Sequence, residues 1–148
     1  MCENSNNGII INNPMLESYI RKTYPKYHFI SSTTKCLTEK DVKQELNNEN
    51  YKLICLDYNL NNNWNFLDSL SIDEINKCEL LCNEMCPPNC PDRLKHYKKN
   101  GEFSLSIGKP QEKICHNHFL NNVCPDVRNA IHHISPQQIF DEYEPRGF

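Results

Sequence analysis

The sequence predicts an α/β protein built on a parallel sheet. Apolar, β-branched runs alternate with segments of helical periodicity along most of the chain, and each proposed strand leaves on polar residues. Gly8-Ile9-Ile10-Ile11 reads as the first strand, and Met15, Leu16, Tyr19 and Ile20 recur at helical spacing behind Asn12-Asn13-Pro14. Tyr27-His28-Phe29-Ile30 follows as a second strand with Ser31-Ser32-Thr33-Thr34 as its polar exit. A helix from Thr38 to Leu46 comes next, capped by Thr38 with Asp41 three residues on. Lys52-Leu53-Ile54-Cys55-Leu56 is a third, almost wholly apolar strand ending at Asp57, with Trp64, Phe66, Leu67 and Leu70 on a short helical pattern behind it. Cys78-Glu79-Leu80-Leu81-Cys82 is the fourth, followed beyond a proline loop by a helix from Pro91 to about Lys98. Residues 100–127 lose periodicity and read as a long irregular connection. Ala130-Ile131-His132-His133-Ile134 fits a fifth strand, and Ser135-Pro136 opens a fifth helix, so about five strand-helix units are expected.

A length of 148 residues fits one domain, 1–148, and a formal charge of −3 gives no support to nucleic-acid binding. No stretch approaches the ~18 apolar residues of a membrane span, and the N-terminus has neither the basic end nor the apolar core of a secretory signal. An intracellular, cytoplasmic protein is therefore expected. Its nine cysteines are expected to be thiols or metal ligands rather than disulfides. With four glycines the chain has no Gly-x-Gly-x-x-Gly or Walker loop, and it carries no Ser-His-Asp or His-Glu-x-x-His signature.

The chemistry concentrates in Cys82-Asn83-Glu84-Met85-Cys86-Pro87-Pro88-Asn89-Cys90-Pro91. Cys82, Cys86 and Cys90 have the spacing of a helical face, but Pro87 and Pro88 remove backbone donors and push their predecessors out of the α region. The thiols must then lie on a compact loop, the usual setting of soft-metal sites. Cys86 and Cys90 are expected within a few ångströms of each other, with Cys115 and Cys124 as remote ligands completing four. Cys82, His96, His116 and His118 are possible replacements. The spacing matches neither a zinc ribbon nor a ferredoxin, so zinc and an iron-sulfur cluster both stay open. Cys55 and Cys78 read as core residues, and Cys36 fits either role.

In a parallel α/β architecture ligands gather at the carboxyl ends of the strands. Asp57 and Glu84 stand there directly after apolar runs, where a carboxylate must be solvated, paired or functional, and they are the candidate catalytic residues. Asn12, Thr33 and Asn59 occupy similar places, although turns and helix caps use the same residue types.

The stretch Glu79-Leu80-Leu81-Cys82-Asn83-Glu84, followed by Cys86, Cys90-Pro91-Asp92-Arg93 and His96-Tyr97, resembles the collagenase-like peptidase family, the U thirty-two group. Ile134-Ser135-Pro136 with Ile139, Tyr143 and Gly147-Phe148 is similar to the segment that leads into the next barrel strand in that family. Together these cover roughly residues 50–148. The resemblance implies a TIM-barrel-like fold and an iron-sulfur cluster on four cysteines, here Cys86, Cys90, Cys115 and Cys124. It also implies hydroxylation of RNA bases or quinone precursors rather than proteolysis. Five strand-helix units make less than a closed barrel, so an incomplete barrel is expected, with an open sheet edge available for self-association. The alternative is a non-catalytic α/β module with structural zinc or buried free thiols.

Overall fold

The computed structural model describes residues 3–84, 86, 88–105 and 133–148. Strand β1 spans Gly8–Ile11, β2 His28–Ser31, β3 Leu53–Cys55 and β4 Cys78–Glu79. They form one parallel sheet in the order β1-β2-β3-β4. Gly8 pairs with His28, Ile30 with Leu53 and Ile54 with Cys78. A Cβ at Gly8 would sit 2.3 Å from the His28 ring on the neighbouring strand, so glycine lets that ring lie across β1.

Helix α1, Pro14–Thr23, begins where the sequence requires. Asn13 accepts from the Met15 and Leu16 amides, and Pro14 fills a first-turn position that needs no donor. Helix α2, Glu39–Leu46, carries the expected capping box, with the Thr38 hydroxyl accepting from the Asp41 amide and Asp41 accepting from the Thr38 amide. Its buried residues Val42 and Leu46 cover the sheet. Two short helices, α3 at Trp64–Leu67 and α4 at Ile72–Ile75, bring Phe66, Leu67 and Ile75 into the same core as Ile11, Phe29 and Ile54. Right-handed crossovers between consecutive neighbours put α1, α2 and the α3–α4 pair on one face of the sheet.

Several boundaries differ from the sequence expectation. β4 holds only Cys78–Glu79, and Cys82 lies in a turn beyond it. The helix expected at Pro91 begins at Arg93, because residues 91–92 form a turn that closes with an Arg93 amide bond to the Cys90 carbonyl. This helix, α5, runs Arg93–Leu105, so residues 100–105 of the expected irregular connection are helical, while 106–127 lie outside the described residues. Of the proposed fifth strand, residues 130–132 lie outside the described residues. His133 and Ile134 form no strand, although the Ile134 amide donates to the Cys82 carbonyl beyond β4. The last expected helix is present at Pro136–Gln138, with Ser135 and Gln138 forming a capping box, and it continues as a π-helical turn, Ile139–Tyr143. Among the described residues no helix is long and apolar enough to cross a membrane.

Candidate functional site

Asp57 leaves β3 at its carboxyl end and caps a 3-10 turn, Tyr58–Leu60, by accepting from the Asn59 amide at 2.8 Å. Its other carboxylate oxygen lies 2.5 Å from the Arg93 guanidinium, and both side chains are only 5% exposed. A buried carboxylate needs such a partner, since desolvation of a lone charge costs several kcal/mol or more. Arg93 also donates to the Tyr97 hydroxyl at 3.0 Å and to the Thr33 carbonyl at 3.3 Å, and its guanidinium stacks 4.0 Å over the Tyr58 ring. Burial acts to lower the Arg93 pKa, but the hydrogen bond to Tyr97 and the charge of Asp57 outweigh it, so the cation is held firmly charged. The Thr33 hydroxyl donates onward to the Leu56 carbonyl at 3.0 Å. One cation thus ties the exits of β2 and β3 to the first turn of α5.

The cysteine loop is anchored on both sides of its prolines. Glu84 accepts from the Cys86 amide at 3.0 Å, its own carbonyl lies 2.9 Å from the His133 ring, and Asn59 accepts from the Asn89 amide at 2.8 Å. Asn89 closes the turn with φ of 52°, in the left-handed region that asparagine tolerates better than most residues. These constraints bring the Cys86 and Cys90 side chains close enough to influence each other electrostatically. Burial pushes the Cys86 thiol up to about 11, a hydrogen bond from the Tyr58 hydroxyl opposes that, and the neighbouring Cys90 adds to it. The Tyr58 phenol is itself raised by burial and by the bond it gives to Cys86. Cys90 opens on a cleft of about 630 Å³ that Cys36, Asp57, Asn59 and Arg93 also line. Cys36 caps the turn after β2 with φ of 54°, a conformation that costs a non-glycine residue of order 1–3 kcal/mol.

The structure therefore gathers Asp57, Thr33, Cys36, Cys86 and Cys90 at the carboxyl edge of the sheet. Both Asp57 oxygens are engaged, and Glu84 accepts from the start of the cysteine loop. Cys115, Cys124, His116 and His118 lie outside the described residues. Among the described residues no three His, Cys, Asp or Glu side chains converge as metal ligands. Cys78 and Cys82 pack against the core as half-buried thiols, and Cys55 is half-buried on β3. Arg93 is the site residue that sequence reasoning left without a role. The available signal was Asp57 itself, because a carboxylate closing a buried strand is solvated, functional or paired with a cation, and here it is paired.

Burial raises the Cys78 thiol from its ordinary 9.0 to about 12. A thiol held protonated in the folded state contributes stability that is fully present below its unfolded pKa and is lost as pH rises through the folded one. Melting temperature is therefore expected to fall between pH 9 and the upper limit of measurement, and the slope should flatten in Cys78→Val. Parallel wild-type and variant curves would show that this thiol ionises as freely when folded as when unfolded.

No family model, curated protein or solved structure matches the chain.

Proposed function

We propose that this chain is a soft-metal-binding protein whose loop thiols Cys86 and Cys90, with Cys115 and Cys124, hold an iron-sulfur cluster at the carboxyl edge of a barrel-derived sheet. The observation that carries the reading is the Cys86–Cys90 thiol pair, fixed by hydrogen bonds on both flanks of a double-proline loop. The donor chemistry fits. Two neighbouring thiols on a short loop offer one edge of a thiolate site, and the remaining ligands would come from Cys115 and Cys124. Sequential strand order supports the barrel-derived part, since a doubly wound sheet reverses its order at a switch point and these four strands do not. The likeness to the U thirty-two group points the same way. A bound cluster would supply one-electron chemistry. The protein's own part is to anchor the loop through Glu84 and Asn59, to set Tyr58 against the Cys86 sulfur, and to keep Arg93 over the floor of the adjoining cleft.

A non-catalytic module with structural zinc or buried thiols is the alternative, and the elevated Cys86 pKa favours its free-thiol form. Anaerobic purification with elemental analysis and a visible spectrum separates the readings, since a cluster gives broad visible absorption and zinc gives none. Cys90→Ser is expected to lower bound metal and melting temperature together. At metal concentrations 100-fold above Kd the lost stabilisation is about 2.7 kcal/mol, or roughly 5–10 °C for a chain of this size. Unchanged metal content and melting temperature would favour the buried-thiol reading.

A further inference from the structure

Three residues separate Cys86 from Cys90, and two of them are prolines with little backbone freedom to lose. The chain reverses at a turn over residues 88–89, where Asn89 takes the left-handed conformation. The reversal is held from outside on both flanks. Glu84 accepts from the Cys86 amide, Asn59 accepts from the Asn89 amide, and the Cys90 carbonyl accepts from the Arg93 amide at 3.3 Å as α5 begins. Both cysteines are free thiols and only partly buried. They differ in access, since Cys90 lines the cleft while Cys86 lies against the fully buried Tyr58. Two thiols facing each other across a tight, anchored turn, one of them open to solutes, have the arrangement of a dithiol that closes reversibly.

We propose that the state of this loop is switched by oxidation, a small disulfide of the glutathione type converting Cys86 and Cys90 into an intramolecular disulfide and excess thiol restoring them. The consequence for metal rests on the function proposed above, because a sulfur tied up in a disulfide is no longer a thiolate ligand. In the first step the Cys90 thiolate attacks one sulfur of glutathione disulfide, forming a mixed disulfide and releasing one glutathione. In the second the Cys86 sulfur attacks the Cys90 sulfur of that mixed disulfide and releases the other. Two protein thiols are oxidised, one small disulfide is reduced to two thiols, and the two protons pass to the departing glutathiones. Cys90 takes the first step because it faces the cleft, and Cys86 is the resolving thiol.

The test uses the full chain, freed of metal and equilibrated in glutathione buffers of graded oxidation. Remaining thiols are alkylated, and proteolytic fragments are weighed. The fragment carrying residues 86–90 should take two alkyl groups at the reducing end of the series and none at the oxidising end. Cys86→Ser should leave Cys90 trapped as its mixed disulfide with glutathione. Zinc ion added to each form of the wild type reads the consequence. The reduced chain should bind it tighter by roughly 100-fold or more, beyond the cost of losing an outer-shell contact. Full alkylation of both cysteines at every ratio would overturn the proposal. So would a disulfide joining either of them to another cysteine, such as Cys36 on the same cleft, or measurable zinc binding of equal strength in the two forms. A Cys86–Cys90 disulfide in a chain that binds neither zinc nor iron when reduced would support the switch and overturn the metal-binding function instead.

Discussion

Replacing Arg93 by methionine is expected to lower the unfolding free energy by about 3–5 kcal/mol, the cost of leaving one member of a buried ion pair uncompensated. Methionine keeps much of the length and apolar character of the stem, so the loss isolates the guanidinium. Asp57, 5% exposed, would keep its Asn59 amide bond but lose its only counter-charge among the described residues. The Thr33 carbonyl and Tyr97 hydroxyl would lose a donor at the same time. For a chain of about this length the deficit corresponds to a melting temperature lower by roughly 6–20 °C. Arg93→Lys should recover little, since a single ammonium cannot reach Asp57, Tyr97 and Thr33 as a planar fork does. Combining Arg93→Met with Asp57→Asn should recover a large part of the stability, because the orphaned charge is then gone while the Asn59 amide keeps its acceptor. Urea melts of the four proteins form the test. A loss below about 1 kcal/mol in Arg93→Met would mean that the pair is solvated and that α5 is held to the sheet by something else.

Tyr143→Ala is the second large effect expected, about 3–5 kcal/mol from the lost burial of an aromatic ring and the cavity left behind. The ring is 2% exposed and lies 5.1 Å from Trp64 and 5.8 Å from Phe148. Its hydroxyl donates to the Asn62 side-chain oxygen and accepts from the Asn62 amide, each at 3.1 Å. These contacts dock the C-terminal helical run onto α3. Trp64 is the only tryptophan of the chain, so its fluorescence reports this docking directly. Tyr143→Phe removes the hydroxyl alone and should cost about 1–3 kcal/mol, since the Asn62 amide is left without that acceptor. If Tyr143→Ala melted like wild type with unchanged Trp64 emission, the C-terminal run would have no part in the core.

Much of the first half of the fold is legible in the sequence because its signals are local. Asn13-Pro14 and the Thr38–Asp41 box declare helix starts within four residues, and Ile9-Ile10-Ile11 declares a strand by β-branching alone. Helix α4 was equally declared by Ser71 and Glu74, which form a capping box, but four residues carry too little periodicity to stand out. The length of α5 was not legible. Asn100 and Gly101 weaken helix propensity, by up to about 1 kcal/mol at the glycine, although a Cβ at Gly101 would meet nothing within 4 Å. At the site, the closeness of Cys86 and Cys90 could be read because two prolines leave the intervening chain few conformations. The Asp57–Arg93 pair spans 36 residues and depends on how α5 lies against the sheet, which no local pattern encodes.

The unbroken order of the four strands has a consequence for how the chain reaches its fold. Each sheet pairing joins consecutive units, from Gly8 to His28, Ile30 to Leu53 and Ile54 to Cys78, so each closes a loop of only about twenty residues. Closure entropy grows as the logarithm of loop length, so the three steps carry nearly equal and modest penalties. A nascent chain leaving the ribosome can therefore lay down each strand against the one before it, without waiting for a distant partner to be made. The topology thus permits vectorial growth of this sheet, from amino to carboxyl end, each new strand finding its partner already made.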